Sequence, residues 1–256
     1  METQLSGRGL YWKQLKGEMD RISDVSIGPL RDSKYIQCYQ VSYKQNGKQR
    51  YWDCLRQHDS VGILIYNVTR QALVVVTQFR PAVYMSSNRP VWENSEIFTS
   101  GSLNMKADKG SESQVGPESD ATAPKYGPSS EGMTYELCAG IVDKDIPLAE
   151  IAREEVQEET GYQVKTENLQ YITSFWSNIG TAGSKQSLFY CEVTDDMIVG
   201  SGGGNQHEGE MIDVLDIPIS TIDEFIVDES KKKSMGLCFG FSWFAKNVLP
   251  KQKNGQ

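Results

Sequence analysis

The chain has 256 residues, 38% hydrophobic and 23% charged, enough for one large domain or a domain with a smaller companion. Its 34 acidic residues against 26 basic ones leave a net charge of -8, which argues against nucleic acid or an anionic membrane as a nonspecific partner, since either would repel it. Five scattered cysteines without a C-x-x-C pair, and only two histidines, argue against a disulfide framework and against a His/Cys zinc site.

The N-terminus lacks the basic and apolar blocks of a signal peptide and no apolar stretch approaches a membrane span, so the expectation is a soluble, cytoplasmic protein. Residues 1–31 are polar, with one helix-like fragment at Tyr11–Leu15. From Tyr35 the pattern changes. Tyr35–Tyr43 is rich in β-formers, Asn46-Gly47 supplies the positive φ values of a tight turn, and Gln49–Leu55 returns, which predicts a hairpin. Strands are expected at Val61–Tyr66 and Ala72–Phe79, with a turn near Asn67–Arg70. Residues 85–133 are rich in Ser, Gly, Asn, Asp and Glu without a sustained period and read as an insertion. A short strand at Thr134–Cys138 then leads through Ala139-Gly140 to a helix over Pro147–Thr160. Pro147 suits its first turn and Gly161 the left-handed position past its end. Strands are predicted at Leu169–Phe175, Gln186–Val193 and Met211–Leu215, with a flexible loop at Gly200–Gly204. Helical patterns at Ser220–Val227 and Phe239–Val248 follow the last strand. The run Lys231–Lys233 is expected as a solvated loop.

On the helix ending at Gly161, Leu148, Ile151, Ala152 and Val156 form an apolar stripe. At about 100° per residue, Glu155 and Glu159 fall inside that stripe, whereas Glu150 and Glu154 point to solvent and Glu158 sits at the margin. Two carboxylates on an inward face repel and lack water, so each must protonate, find a cation or bind a metal ion. From the helix alone two readings stand open: a surface helix with solvated glutamates, and a site for Mg²⁺ or Mn²⁺. Gly140 favours the second. A glycine lets the backbone approach the carboxylates, so that the carbonyl of Ala139 becomes a further oxygen ligand.

These residues resemble the Nudix hydrolases, whose box reads G-x5-E-x7-R-E-U-x-E-E-x-G-U with U a bulky apolar residue. Gly140, Glu155, Val156, Glu158, Glu159, Gly161 and Tyr162 match it at the right spacing. Ile146 stands where the first glutamate is expected, and Glu154 where the arginine is expected, with Arg153 one place early. Outside the box, His58–Val61, Gln78–Tyr84, Glu136–Gly140, Gly183–Gln186 and Gly240–Phe244 resemble the uridine diphosphate glucose pyrophosphatase branch, which is close to the ADP-ribose pyrophosphatases.

The resemblance implies an α+β fold: an α/β/α sandwich around a mixed sheet, preceded by an N-terminal β region. Residues 1–57 would form that region, through which such proteins form homodimers, and residues 58–250 the hydrolase domain, with the insertion at about 85–133. It implies hydrolysis of a nucleoside diphosphate sugar, UDP-glucose first, to UMP and glucose 1-phosphate. ADP-ribose hydrolysis is an alternative. So is a degenerate nucleotide-binding domain, for which Ile146 and Glu154 speak.

By the same resemblance Glu155, Glu159 and the Ala139 carbonyl hold the metal, and Glu158 completes the cluster or orients the attacking water. A general base is expected on a loop before a late strand, where Glu210 is favoured over Glu208, a solvated loop glutamate being the other reading. Arg80 and Lys185 are candidates for phosphate contacts, and Glu136 for the ribose or a bound water. Trp52, with Tyr51, would stack on the base or simply pack in its sheet.

Overall fold

The computed structural model describes residues 22–28, 30, 33–92, 126–205 and 209–253. The fragment at Tyr11–Leu15, most of the expected insertion, and Glu208 lie outside them. The chain divides into two compact units, one drawn from Met1–Arg31 and Phe79–Met133, the other from Asp32–Gln78 and Thr134–Gln256.

The larger unit opens with the predicted hairpin. Strands β1 (Gln37–Gln45) and β2 (Lys48–Arg56) pair antiparallel from Gln45↔Lys48 to Gln37↔Arg56. Asn46 and Gly47 both take positive φ, 52° and 78°, as the mirror-image two-residue turn demands. The hairpin is a two-stranded sheet by itself, tied at one end by Leu55 N–H to the Thr181 carbonyl at 2.8 Å.

Seven strands form the second sheet: β3 (Ser60–Asn67), β4 (Ala72–Phe79), β5 (Met133–Glu136), β6 (Cys138–Ile141), β7 (Gln170–Ser177), β8 (Ser184–Val193) and β9 (Ile212–Pro218). Their order is β5-β4-β3-β8-β7, with β6 also on β3 and β9 also on β4. β3 and β8 pair in parallel, whereas β6, β4 and β9 pair antiparallel with their neighbours β3, β3 and β4. β3 is buried from Val61 to Asn67, consistent with the near-continuous apolar run of a strand covered on both faces. One edge of β3 runs along β8 for its whole length; the other is shared end to end, Ser60–Ile63 by β6 and Ile65–Asn67 by β4. The sheet therefore forks at Leu64, and Leu137, the single residue between β5 and β6, packs in the same core layer as Leu64.

Alternation along the strands sorts the core into two layers. Val61, Ile63, Ile65 and Val74 pack with Ile151, Ala152 and Val156 of helix α3 (Leu148–Thr160). Leu64, Tyr66, Leu73, Val75 and Leu188 pack with Leu237, Phe241 and Phe244 of helix α5 (Met235–Asn247). Each fully buried aliphatic side chain contributes about 1.5–3 kcal/mol. Helix, mixed sheet, helix is the α/β/α sandwich expected. Short helices α4 (Ile222–Val227) and α6 (Leu249–Lys253) flank α5. The lysine run is not simply solvated: the Lys232 carbonyl accepts from Tyr135 N–H at 2.7 Å, which lays the segment against β5.

The smaller unit contains α1 (Pro81–Ser87), α2 (Arg89–Trp92) and a 3-10 turn at Ser129–Gly132. These flank residues 93–125, which lie outside the described set. Buried Asn88 links the two sides: its amide donates to Glu131 Oε2 at 3.0 Å and its carbonyl accepts from Gly127 N–H at 2.6 Å. A Cβ at Gly132 would lie 2.3 Å from the Phe79 ring, so only glycine fits there.

Candidate active site

Helix α3 starts at Pro147, whose carbonyl accepts from Glu150 N–H at 2.9 Å, and stops at Gly161 with φ 76°. Its inward side is Ile151, Ala152, Val156 and Glu159, all buried, with Glu155 half-buried between them. Leu148, expected on the stripe, is instead 38% exposed. Helical side chains lean toward the N-terminus, and at the first residue no preceding turn is there to cover. Glu150 and Glu154 face outward as expected, but with partners: Arg153 binds Glu150 at 2.9 Å and Lys144 binds Glu154 at 2.7 Å.

Strand β6 lies across the inward face of the helix. Ala139 pairs with Gly62 and Gly140 with Val61. A Cβ on Gly140 would stand 2.0 Å from Glu155 Oε1, so the glycine is the space that Glu155 occupies. Ala139 N–H donates to Glu159 Oε2 at 3.0 Å. Cys138, two residues before Gly140 and on the same strand face, donates its thiol to Glu159.

The glycine-rich segment expected to be flexible is docked on the end of the same helix. Gly203 and Gly204 N–H donate to the carbonyls of Glu159 and Glu158 at 2.9 and 3.2 Å, groups that the helix itself leaves unsatisfied. A Cβ on Gly161 would meet the Gly200 carbonyl at 2.2 Å. Beyond the loop, Glu210 turns back: its Oε2 accepts from Asn205 N–H at 2.9 Å.

The result is a set of mutually interacting carboxylates, Glu155, Glu158, Glu159 and Glu210. Burial, then the charges of Glu158 and Glu210, push Glu155 up to about 7, with Lys144 opposing. Burial pushes Glu159 up to about 8 against the donors of Ala139 and Cys138, and Glu155 and Glu210 add to the rise. Burial, followed by the charge of Glu159, also raises the Cys138 thiol.

Among the described residues no three His, Cys, Asp or Glu side chains already converge as a metal cage; Glu159 is turned to the Ala139 N–H instead. The donors nevertheless fit a hard divalent cation. They are oxygens, they crowd negative charge, and two are driven toward neutrality chiefly by burial.

The other residues singled out by sequence are placed as follows. Trp52 lies on β2 and donates its indole N–H to the Gly180 carbonyl at 2.8 Å. Lys185 is exposed on β8, on the strand face that packs against α3, and its N–H donates to Asp59 Oδ1 at 2.8 Å. Glu136 accepts from Thr134 at 2.7 Å. Arg80 belongs to the smaller unit, where it precedes α1 and its N–H donates to the Gly132 carbonyl at 2.9 Å. Sequence reasoning missed Lys144, Cys138 and the docking of Gly203 and Gly204. The two-residue spacing of Cys138 and Gly140 on a strand was a usable signal for one of them.

A box-bearing helix laid on a forked mixed sheet defines the class of enzymes with which the sequence shows resemblance. The chain is 39% identical over 233 residues to uridine diphosphate glucose pyrophosphatase of Bos taurus, covering 91% of this chain and 98% of that protein. It is 36% identical over 233 residues to the Mus musculus protein of the same name, with the same coverage. It is 27% identical over 166 residues to GDP-mannose pyrophosphatase of Klebsiella pneumoniae, 65% of this chain and 61% of that one. No family model matches the chain. The chain belongs to the uridine diphosphate glucose pyrophosphatase family of Nudix hydrolases.

Proposed function

We propose that the protein hydrolyses the diphosphate linkage of a nucleoside diphosphate sugar, UDP-glucose and water giving UMP and glucose 1-phosphate. The observation that carries the reading is the carboxylate set on α3, packed against Gly140 at the box spacing, in a chain that spans nearly the whole length of its uridine diphosphate glucose pyrophosphatase relatives.

Glu155, Glu159 and the Ala139 carbonyl would hold a divalent cation, Mg²⁺ first and Mn²⁺ second, with Glu158 completing the set or orienting the attacking water. When bound, such a cation supplies charge neutralisation of the diphosphate. Glu210 takes a proton from the attacking water as its oxygen bonds to phosphorus and the bridging P–O bond breaks. Attack on either phosphorus yields the same two products. Lys185 is assigned to the phosphates, Glu136 to the ribose and Trp52 to the uracil face.

The hairpin is assigned to homodimerisation. A lone two-stranded sheet is marginal in water, and Tyr39, Tyr51 and Trp52 stand at least half exposed on it. The five cysteines are free, which suits a reducing compartment such as the cytoplasm.

Purified protein with Mg²⁺ is given UDP-glucose, GDP-mannose and ADP-ribose separately, and nucleoside monophosphate release is followed. UDP-glucose is expected to turn over fastest, and Glu159→Gln to lose roughly a hundredfold or more. Faster turnover of another substrate reverses the assignment. No turnover of any returns the degenerate reading, and full activity in Glu159→Gln sinks the mechanism.

A further inference from the structure

Three successive residues, Gly202, Gly203 and Gly204, hold φ values of 67°, 110° and 76°, a run that residues with a Cβ rarely adopt. That run turns the N–H groups of Gly203 and Gly204 onto the last turn of α3 at Glu159 and Glu158. The same segment reaches the opposite way. The Gly203 carbonyl accepts from Ile212 N–H at 3.3 Å, and the Asn205 carbonyl from Glu210 N–H at 3.2 Å. Asn205 N–H holds the Glu210 carboxylate at 2.9 Å. One short stretch of backbone is thus bonded both to the carboxylate helix and to the acid beyond the loop.

We propose that Gly204, within the segment Gly202–Asn205, is a positioning residue that fixes the Glu210 carboxylate in register with α3, so that base and ligand helix form one rigid unit. The proposal rests on the reading of Glu210 as the general base. Its physical content is a missing side chain: a Cβ at Gly204 would lie 2.7 Å from Glu210 Oε2 and 2.9 Å from Glu210 Cβ. At Gly202 it would lie 2.4 Å from the Glu159 carbonyl oxygen. Gly200, by contrast, has nothing within 4 Å of the same point. The loop thus contains its own control.

Turnover of UDP-glucose by the full chain is measured for Gly200→Ala, Gly204→Ala, Glu210→Ala and the Gly204→Ala/Glu210→Ala double variant, each checked by thermal melting. Gly204→Ala is expected to lower kcat tenfold or more with KM held within about threefold, as a small misplacement of a catalytic group does. Gly200→Ala is expected at the wild-type rate. In the Glu210→Ala background, Gly204→Ala is expected to cost less than about twofold, because groups acting through one another are not additive. If Gly204→Ala does not fold, Asn205→Pro, which removes the N–H held by Glu210, takes its place with the same expectations. Wild-type kcat in the loop variant, or a full additional loss in the Glu210→Ala background, overturns the positioning role. Wild-type kcat in Glu210→Ala overturns the base and the positioning role together, while absence of UDP-glucose turnover by the unaltered chain falls on the proposed function itself.

Discussion

At Gly140 an added methyl would stand 2.0 Å from Glu155 Oε1 and 2.5 Å from Glu155 Cγ, so Gly140→Ala must swing the whole carboxylate away. Because burial and neighbouring charge disfavour the ionised form of Glu155 where it is, its displacement toward water relieves unfavourable electrostatics. Gly140→Ala is therefore expected to lose roughly a hundredfold in kcat while Tm in chelator stays within about 4 °C; a collapse of Tm would show that the glycine serves the fold instead. A second expectation concerns the thiols. Burial pushes Cys191 up to about 12 and raises Cys138 as well, whereas Cys38 is exposed. Iodoacetamide at pH 8, read by peptide mass spectrometry, should mark Cys38 well before Cys138 and Cys191. Residue by residue, the inward turn of Glu155 and Glu159 was legible because helical period is a local property. Lys144 was not, because it reaches Glu154 from the loop ahead of the helix, and nothing in the spacing reports a side chain's reach.

Helix α3 and the glycine segment together carry a pH dependence. With the metal chelated, the folded protein keeps protons on Glu155 and Glu159 up to about 7 and 8, whereas an ordinary glutamate side chain releases its proton near 4.5. Between those limits the unfolded chain has released protons that the folded chain still holds, so stability falls as pH rises and levels off above the folded values. In EDTA, the Tm difference between the unaltered chain and a Glu155→Gln/Glu159→Gln variant should widen from pH 5 to pH 8, the variant being the more stable. Mg²⁺ should narrow it most at pH 8, where the ligands ionise at least cost. An EDTA difference that shrinks over that range would contradict the burial argument. At this scale the hairpin and its turn were readable from Asn46-Gly47, and most strands from their runs. The glycine-rich loop was misread for a physical reason: glycine abundance signals both freedom and permission for positive φ, and only the acceptors at Glu158 and Glu159 decide between the two.

For the whole molecule, the exposed hairpin predicts association. Val41 and Trp52 are cross-strand partners on one face, with Tyr39 beside them. Val41→Lys would put a charge into any apolar interface built there. Sedimentation is expected to show a dimer for the unaltered chain and a monomer for the variant, with about a tenfold or greater weakening of association; a monomer in both cases removes the hairpin's assigned role. The mixture of strands and late helices was legible in the order of local patterns, whereas the helix–sheet–helix layering came from the resemblance to the Nudix hydrolases. The strand order was not legible, because the pairing of β3 with β6 and β8 joins residues such as Ser60, Ile141 and Gln186, and no local signal reports a partner so distant.

The fork in the sheet has a kinetic consequence. One edge of β3 is completed only when β4 and β6 have both arrived, and the other only when β8, still later in the chain, aligns in parallel. Such distant closures are the slow steps of assembly. Ala139 and Gly140 ride on the strand that fills the fork. A refolding chain should therefore regain helical signal early and hydrolytic competence late, the reaction centre maturing with the last closure of the sheet.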